Sequence, residues 1–219
     1  MGTKLLKNEL GYHIPKRVSF EADLINKKYV DIVFDFSFDM SFGGVGAHRN
    51  HRSGGTHLRK NGEVFCDTFQ GKLAEYYVYQ KFKAFSIELE KPDLEKWKLG
   101  LWDDFDFRIN NKLINIKSMA FFSNLLLLES KDFRADGTYI PNDKKYDYFI
   151  ISRIKPELKR VLKMNRMYYS DEINKEELYA VIKSQKFEAD IPGFISNDEL
   201  VKAIEEKQIL PKGSTLNKN

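Results

Sequence analysis

The chain has one cysteine and no long apolar run. Its 219 residues include only Cys66, which excludes an intrachain disulfide and favours a reducing, cytoplasmic setting. The first ten residues lack the apolar segment of a secretory signal peptide. The most apolar run, "FFSNLLLL" at 121–128, is far shorter than the roughly 20 residues that cross a bilayer. We find no internal repeat. These absences predict a soluble intracellular protein with no membrane partner.

Composition and charge describe an ordinary globular protein. Hydrophobic residues make up 42% of the chain and charged residues 31%. A chain of this length can fold as one domain that buries about 70% of its unfolded surface, so we expect residues 1–219 to form a single domain. The net charge of +4 comes from 36 basic and 32 acidic residues, which permits a polyanionic partner without requiring one.

The spacing of apolar residues and turn formers predicts alternating helices and strands. We expect a helix over 18–31, a basic loop over 41–62, and a helix over 68–82 that begins with a capping box of Asp67 and Gln70. Strands are expected at 85–90 and 146–154 with a hairpin at 104–118 between them, while 123–130 suits either a strand or a helix and 131–145 suits a loop. The remaining helices are expected at 157–164, 174–185 and 197–209, the last with Asn197 as its cap. This order indicates an α/β fold with a central mixed sheet flanked by helices: 1–66 as an N-terminal helix and loop, 67–155 as the core, and 156–219 as a helical C-terminal part.

The hairpin "DDFDFRINNKLINIKS" (103–118) carries an unusual polar face. Asn110-Asn111 is a good two-residue turn, because Asn tolerates positive φ. Alternation of side chains from this turn places four apolar residues on one face (Phe105, Phe107, Ile114, Ile116) and four polar residues on the other (Asp104, Asp106, Asn115, Lys117). Opposed residues have Cβ atoms about 5 Å apart, so Asp106 and Asn115 can hold one cation. The alternative is a surface hairpin with an Asp104–Lys117 ion pair.

The helix before the hairpin contains a carboxylate among apolar neighbours. Glu75 shares a helical stripe with Val78, Tyr79 and Phe82, and an unpaired buried carboxylate costs several kcal/mol. Gly71, one turn earlier, costs about 1 kcal/mol relative to Ala unless something must approach the backbone there. A salt bridge from Glu75 to a nearby Lys, with Gly71 tolerated for packing, would also explain both residues.

Taken together, "GKLAE" on a helix, an Asp on one strand and a polar-x-Lys pair on the next resemble the PD-(D/E)xK nuclease superfamily. "KYDYFIISRI" is similar to the core strand that follows this motif in several restriction enzymes, and the resemblance covers about residues 67–155. It implies a restriction-endonuclease-like fold in which Asp106 binds the metal, Glu75 is the helix carboxylate and Lys117 is the catalytic lysine. Asn115 stands where the family has its middle acid, and its amide oxygen can bind a metal without adding charge. Glu75 and Asp104 can supply that charge, and Glu129 is a further candidate.

The function implied by the resemblance is hydrolysis of DNA phosphodiester bonds by a type II restriction endonuclease. The resemblance implies Mg²⁺, replaceable by Mn²⁺, bound by Asp106, Glu75, Asn115 and the Ile116 carbonyl, where it would activate a water that Lys117 positions. It also implies double-stranded DNA as partner and a homodimer with two active sites. A Holliday-junction or branched-DNA resolvase would use the same chemistry. A catalytically inactive DNA-binding domain of the same fold is the alternative from another class.

The basic loop at 41–62 would serve such a function. It holds six of the chain's glycines and three of its four histidines, without one acid. We expect it to be mobile and to contact DNA phosphates or a guanine edge through Arg49, Arg52, Arg59 and Lys60, with Lys72 as a further DNA contact. A solvated flexible loop is the simpler interpretation. A zinc site built from His48, His51, His57 and Cys66 is a third, although the spacing matches no standard finger.

Overall fold

A mixed five-stranded sheet forms the centre of the structure, a computed structural model that describes residues 6–9, 11–14, 16–44, 58–94, 105–211 and 214. The strands are β1 (Leu6–Asn8), β2 (Gly11–His13), β3 (Asp23–Leu24), β4 (Phe107–Ile109), β5 (Lys112–Ala120), β6 (Tyr148–Lys155) and β7 (Glu188–Ser196). The helices are α1 (Lys27–Ser41), α2 (Asn61–Ala84), α3 (Leu158–Met164), α4 (Lys175–Lys183) and α5 (Asn197–Glu205).

The strand order in the sheet is β3-β7-β6-β5-β4. β5 and β6 are parallel, and the other neighbours are antiparallel. β1 and β2 form a separate two-stranded sheet. The predicted α/β class with a mixed sheet flanked by helices is therefore confirmed.

Both faces of the sheet are covered. One face packs against α1, α2, α3 and α4 through the main hydrophobic core, whose centre includes Phe65, Phe69 and Leu73 of α2. The other face carries a smaller cluster around Tyr146, Phe149 and Leu200, contributed by α5 and by the chain between β5 and β6. α2 therefore lies on the opposite side of the sheet from α5.

Several predicted elements are present. Asn110 and Asn111 both have positive φ, 48° and 62°, and connect β4 to β5 as the predicted two-residue turn. α3 and α4 lie within their expected ranges, β6 ends one residue beyond its range, and α5 occupies the first part of its range. The expected cap of α5 is one residue off, because the Ser196 side chain, not that of Asn197, accepts the hydrogen bond from Glu199 N.

The first helix begins later than expected. Residues 18–22 form neither helix nor strand, β3 follows, and α1 starts at Lys27 with the Asn26 side chain accepting from Lys28 N at 3.0 Å. The carbonyls of Val18 and Ser19 accept hydrogen bonds from the Arg153 guanidinium at 2.8 and 2.7 Å. These carbonyls therefore bond to a side chain of β6 instead of to a helix, and local spacing alone does not reveal it.

The second helix begins earlier than expected. α2 starts at Asn61, where Lys60 N donates to the Glu63 carboxylate at 3.0 Å. The capping box predicted at Asp67 and Gln70 is wrong, since both residues lie inside the helix and Asp67 forms an ion pair with Arg59 at 3.2 Å. The basic loop, predicted to reach residue 62, therefore ends before α2 begins at Asn61. Residues 45–57 of the predicted loop lie outside the described residues.

The strand predicted over 85–90 is wrong. α2 ends at Ala84, and Ser86 adopts a positive φ of 58°. Ser86 N donates to Lys83 O and Ile87 N to Phe82 O, both at 3.0 Å, which is the Schellman arrangement that closes a helix. The alternating segment "FSIELE" therefore follows the end of a helix and pairs with no strand among the described residues.

A strand within the C-terminal part was missed. Residues 156–219 were expected to be helical, but β7 pairs with β6 on one side and β3 on the other. Its sequence, "EADIPGFIS", contains Pro192-Gly193, a pair more typical of a turn. Residues 123–129 form neither strand nor helix and lead into a 3₁₀ turn at Ser130–Asp132. No helix among the described residues is long and apolar enough to cross a bilayer.

Candidate functional site

The β4–β5 ladder ends in an irregularity at Asp106. Phe107 pairs with Ile114, and Asp106 N also donates to Ile114 O at 3.1 Å. Two residues of one strand thus oppose one residue of the other, as in a β-bulge. The Asp106 carboxylate, instead of a backbone carbonyl, then accepts the hydrogen bond from Ile116 N at 2.5 Å. The predicted Asp106–Asn115 register is therefore wrong, although both residues lie at the same end of the hairpin.

The bulge also changes which face Phe105 occupies. Phe107, Ile114 and Ile116 belong to the main core beside α2, as predicted. Phe105 instead packs with the smaller cluster on the opposite face, and Arg108 lies 4.6 Å from its ring centroid. The extra residue resets the alternation, so the prediction that Phe105 and Phe107 share one face is wrong. Asp104 lies outside the described residues.

Beyond Phe107 the outer edge of β5 has no strand neighbour among the described residues. Asn115 lies at this edge, and its side-chain oxygen Oδ1 is buried without a hydrogen-bond partner among the described residues. An unsatisfied buried amide oxygen costs about 1–3 kcal/mol. The N–H and C=O of one residue point to the same edge of a strand, so the Ile116 carbonyl is directed toward the edge where Asp106 lies.

α2 brings two charged side chains to this edge. Lys72 Nζ donates to Glu75 Oε2 at 2.8 Å, and the two side chains are only 16% and 12% exposed. The predicted pairing of Glu75 with a neighbouring lysine is therefore present. Both residues also interact with the hairpin: Lys72 with Asp106, and Glu75 with Lys117. Lys72, predicted only as a DNA contact, thus lies within the candidate site.

Lys117 is surrounded by carboxylates. Burial lowers the pKa of its amino group, while Asp106, Glu75 and Asp132 act in the opposite direction by stabilising the charged form. For Asp106, burial raises the pKa of the carboxyl group, and the Ile116 N–H, Lys117 and Lys72 oppose that rise. Burial therefore favours the neutral form of each group, and the charged forms depend on the neighbours within the site. The Asp104–Lys117 ion pair of the surface-hairpin alternative involves a residue outside the described part of the chain and stays an alternative.

Asp132 was missed by the sequence prediction. It belongs to the 3₁₀ turn between β5 and β6, a segment expected to be an ordinary loop. Glu129, the candidate named from this region, pairs instead with Lys131 at 3.1 Å. No local motif marks Asp132, since only the path of the chain after β5 brings it near Lys117.

The donor set at this edge fits a hard cation. Asn115 Oδ1 lacks a partner, and Asp106 Oδ1 makes no hydrogen bond to a described residue. Both are oxygen ligands of the type that Mg²⁺ prefers. No three His, Cys, Asp or Glu side chains group as a metal site within the described part of the chain. A cation here would therefore depend on the Asn115 amide and a backbone carbonyl in addition to carboxylates.

Two of the predicted DNA-binding residues form ion pairs with acids of the chain. Arg59 pairs with Asp67, and Lys60 pairs with Asp171 at 2.6 Å. Arg49, Arg52 and the three loop histidines lie outside the described residues. Cys66 is buried in the main core on α2. Comparison of the chain with protein-family models, with curated proteins and with solved structures gave no significant match.

Proposed function

We propose that the protein is a Mg²⁺-dependent DNA endonuclease with a restriction-endonuclease-like core and that the edge of β5 is its active site. The observation that carries the proposal is Asn115 Oδ1, which is buried without a partner among the described residues and lies on β5 next to Ile116, whose N–H donates to Asp106, and two residues from Lys117. A buried amide oxygen is normally hydrogen-bonded, and a cation can take the place of the missing donor. The α2 carboxylate and the hairpin Asp and Lys are also the residues that carry the resemblance to PD-(D/E)xK nucleases.

Asp106, Asn115 and the Ile116 carbonyl would hold the cation, with Glu75 available if Lys72 releases it. When bound, Mg²⁺ would supply positive charge that favours ionisation of water and neutralises charge on the phosphate. Lys117 would orient the attacking water and stabilise the developing charge on the phosphate oxygens. Lys72 would hold the Glu75 carboxylate in place until DNA and metal enter. Mn²⁺ is expected to substitute for Mg²⁺.

Sequence-specific cleavage of double-stranded DNA, usually by a homodimer with two active sites, is the form of this activity that we favour. The test is digestion of a large unmethylated phage genome in Mg²⁺. Discrete fragments support a restriction endonuclease, and a smear supports a nuclease without sequence specificity. Preferential cutting of four-way junctions would instead identify a resolvase with the same site.

A second candidate is an inactive DNA-binding domain of the same fold. Asn115 favours it, because the amide supplies no charge where the related nucleases carry an acid. Intact phage DNA under Mg²⁺ and Mn²⁺, together with retained binding of a DNA duplex, would support this candidate and contradict catalysis.

A further inference from the structure

The segment 158–170 is strongly basic. It contains Lys159, Arg160, Lys163 and Arg166 and no acid. None of these four cations has a carboxylate partner among the described residues, whereas Lys60 nearby is paired with Asp171. With Tyr169, whose surface is 59% exposed, these cations form what we call the α3 surface. Unpaired cations beside an exposed ring match a polyanion that also carries planar groups.

The α3 surface contains a pocket. Its volume is about 330 Å³, and Lys163, Arg166, Tyr168 and Tyr169 line it. The Lys163 ammonium lies 5.1 Å from the Tyr169 ring centroid and 5.4 Å from that of Tyr168. A pocket of this size accepts a small planar ligand. The ammonium and guanidinium groups would bind phosphate, while the Tyr169 ring offers a surface on which a base can stack.

The position of Arg166 supports a functional role for its side chain. Arg166 ends α3 with a φ of 58°, and Met167 N donates to Leu162 O at 2.8 Å. This helix-closing position favours glycine, because other residues adopt positive φ at a cost. The chain nevertheless has an arginine here, and this residue lines the pocket.

We infer that the α3 surface binds an unpaired nucleic-acid strand, with phosphates at Lys163 and Arg166 and a base against Tyr169. The inference rests on the proposed function for the identity of the polymer. Gly62, at the start of α2, approaches this segment so closely that a Cβ there would lie 2.1 Å from Met167 O. Glu75 lies about 20 Å further along the helix at 1.5 Å per residue. An unpaired strand bound at the α3 surface would continue along α2 toward the edge of β5.

Binding of fluorescein-labelled dT15 and of a 15-base-pair duplex, measured by anisotropy in EDTA, tests the inference. We expect wild type to bind both, and substitutions on the α3 surface to weaken binding of dT15 more than binding of the duplex. Tyr169→Ala and Lys163→Glu should each weaken dT15 binding at least fivefold. Arg166→Gly should weaken it similarly while melting at no lower temperature than wild type, which separates lost binding from lost folding. Lys202→Glu on α5 makes the same charge change on the opposite side of the sheet and should alter binding less than twofold.

Several outcomes would overturn the inference: no binding of dT15 by wild type, equal binding of dT15 by wild type and the α3 variants, or an equal loss of dT15 and duplex binding in those variants. The phage digestion separates this failure from that of the proposed function. DNA cleavage by wild type with unaffected dT15 binding in the variants would overturn the α3 surface alone. Reduced dT15 binding in the variants without cleavage by wild type would support the α3 surface and contradict the nuclease.

Discussion

Two polar clusters on the same sheet differ in how completely they are satisfied. Arg153 on β6 is 1% exposed and donates to Asp190 and to the Val18 and Ser19 carbonyls, and Asp190 also accepts from Glu21 N at 2.9 Å. At the outer edge of β5, Asn115 Oδ1 has no partner among the described residues, and burial opposes ionisation of Asp106 and Lys117. The first cluster is satisfied by groups of the chain itself. The second leaves a buried oxygen without a partner in the described part of the chain, which is why we place the proposed function there.

The largest expected effect is loss of activity from the β5 cluster. Asp106→Asn and Lys117→Met should each reduce DNA cleavage by about 100- to 10,000-fold, the usual contribution of a proton-transferring or charge-stabilising group. In Asp106→Asn the amide oxygen of the new side chain can still accept from Ile116 N, so the free energy of unfolding should change little. Plasmid cleavage and urea unfolding measure the two effects. Lys202→Met is the matched control and should cleave normally; parental rates in both site variants would refute the assignment.

The Arg153 cluster should show the reverse behaviour. Arg153→Met leaves Asp190 buried without its cation, and Asp190→Ala leaves the guanidinium unpaired. Each should lower the free energy of unfolding by about 3–5 kcal/mol, the usual cost of breaking a buried pair. Urea denaturation gives this value directly. A loss below about 1 kcal/mol would mean that the two clusters do not differ in the way described.

Two glycines of α2 extend the comparison to the helix that carries Glu75. Gly71 has open space where a Cβ would lie, so Gly71→Ala should stabilise the protein by about 1 kcal/mol through helix propensity. Gly62→Ala should destabilise it by about 1–3 kcal/mol, because the added Cβ would lie 2.1 Å from Met167 O. Thermal melting of the two variants measures both. If DNA approaches the helix beside Glu75, Gly71→Ala should also weaken duplex binding. A Gly62→Ala variant that melts at the same temperature as wild type would contradict the packing around Gly62.

The smallest expected effect is a pH dependence at Asp147, which joins β6 to the hairpin. Burial would raise the pKa of its carboxyl group, but hydrogen bonds from Lys112 Nζ and Leu113 N outweigh it and lower the pKa. Because the folded-state pKa lies below the unfolded one, this stabilisation is present above about pH 4 and is lost as the pH falls further. Asp147→Asn should therefore lose less stability than wild type between pH 5 and 3, by under about 1 kcal/mol since the pair is partly exposed. Parallel stability curves would contradict this.

Local patterns predicted the elements whose partners are close in sequence. The Asn110-Asn111 turn and the alternation around it specified β4 and β5, and the apolar run after Tyr146 specified β6. β7 was not predicted, because Pro192-Gly193 interrupts its apolar pattern and because its partner strand β6 lies about forty residues earlier in the sequence. The absence of a helix at Val18–Ser19 depends on hydrogen bonds from Arg153, which lies more than 130 residues away in the sequence.

The candidate site shows the same division. Glu75, Asp106 and Lys117 could be grouped from the sequence because together they resemble the helix carboxylate, Asp and Lys of PD-(D/E)xK nucleases. The bulge at Asp106 was not foreseeable, since it depends on which backbone donor the carboxylate accepts from. Asp132 lies near the site because of the irregular connection between β5 and β6, and Lys72 belongs to it because it bonds to Glu75. Sequence spacing alone therefore predicts neither role.

The most direct test of the account is titration of the metal-free protein with Mn²⁺ by isothermal calorimetry. We predict one cation per chain for wild type, at least tenfold tighter binding for Asn115→Asp because it adds a charge to the oxygen ligands, and loss of binding for Asp106→Asn. Two results would show that the edge of β5 is not a metal site. In the first, neither wild type nor Asn115→Asp binds a cation; in the second, Asp106→Asn binds the cation as tightly as wild type does.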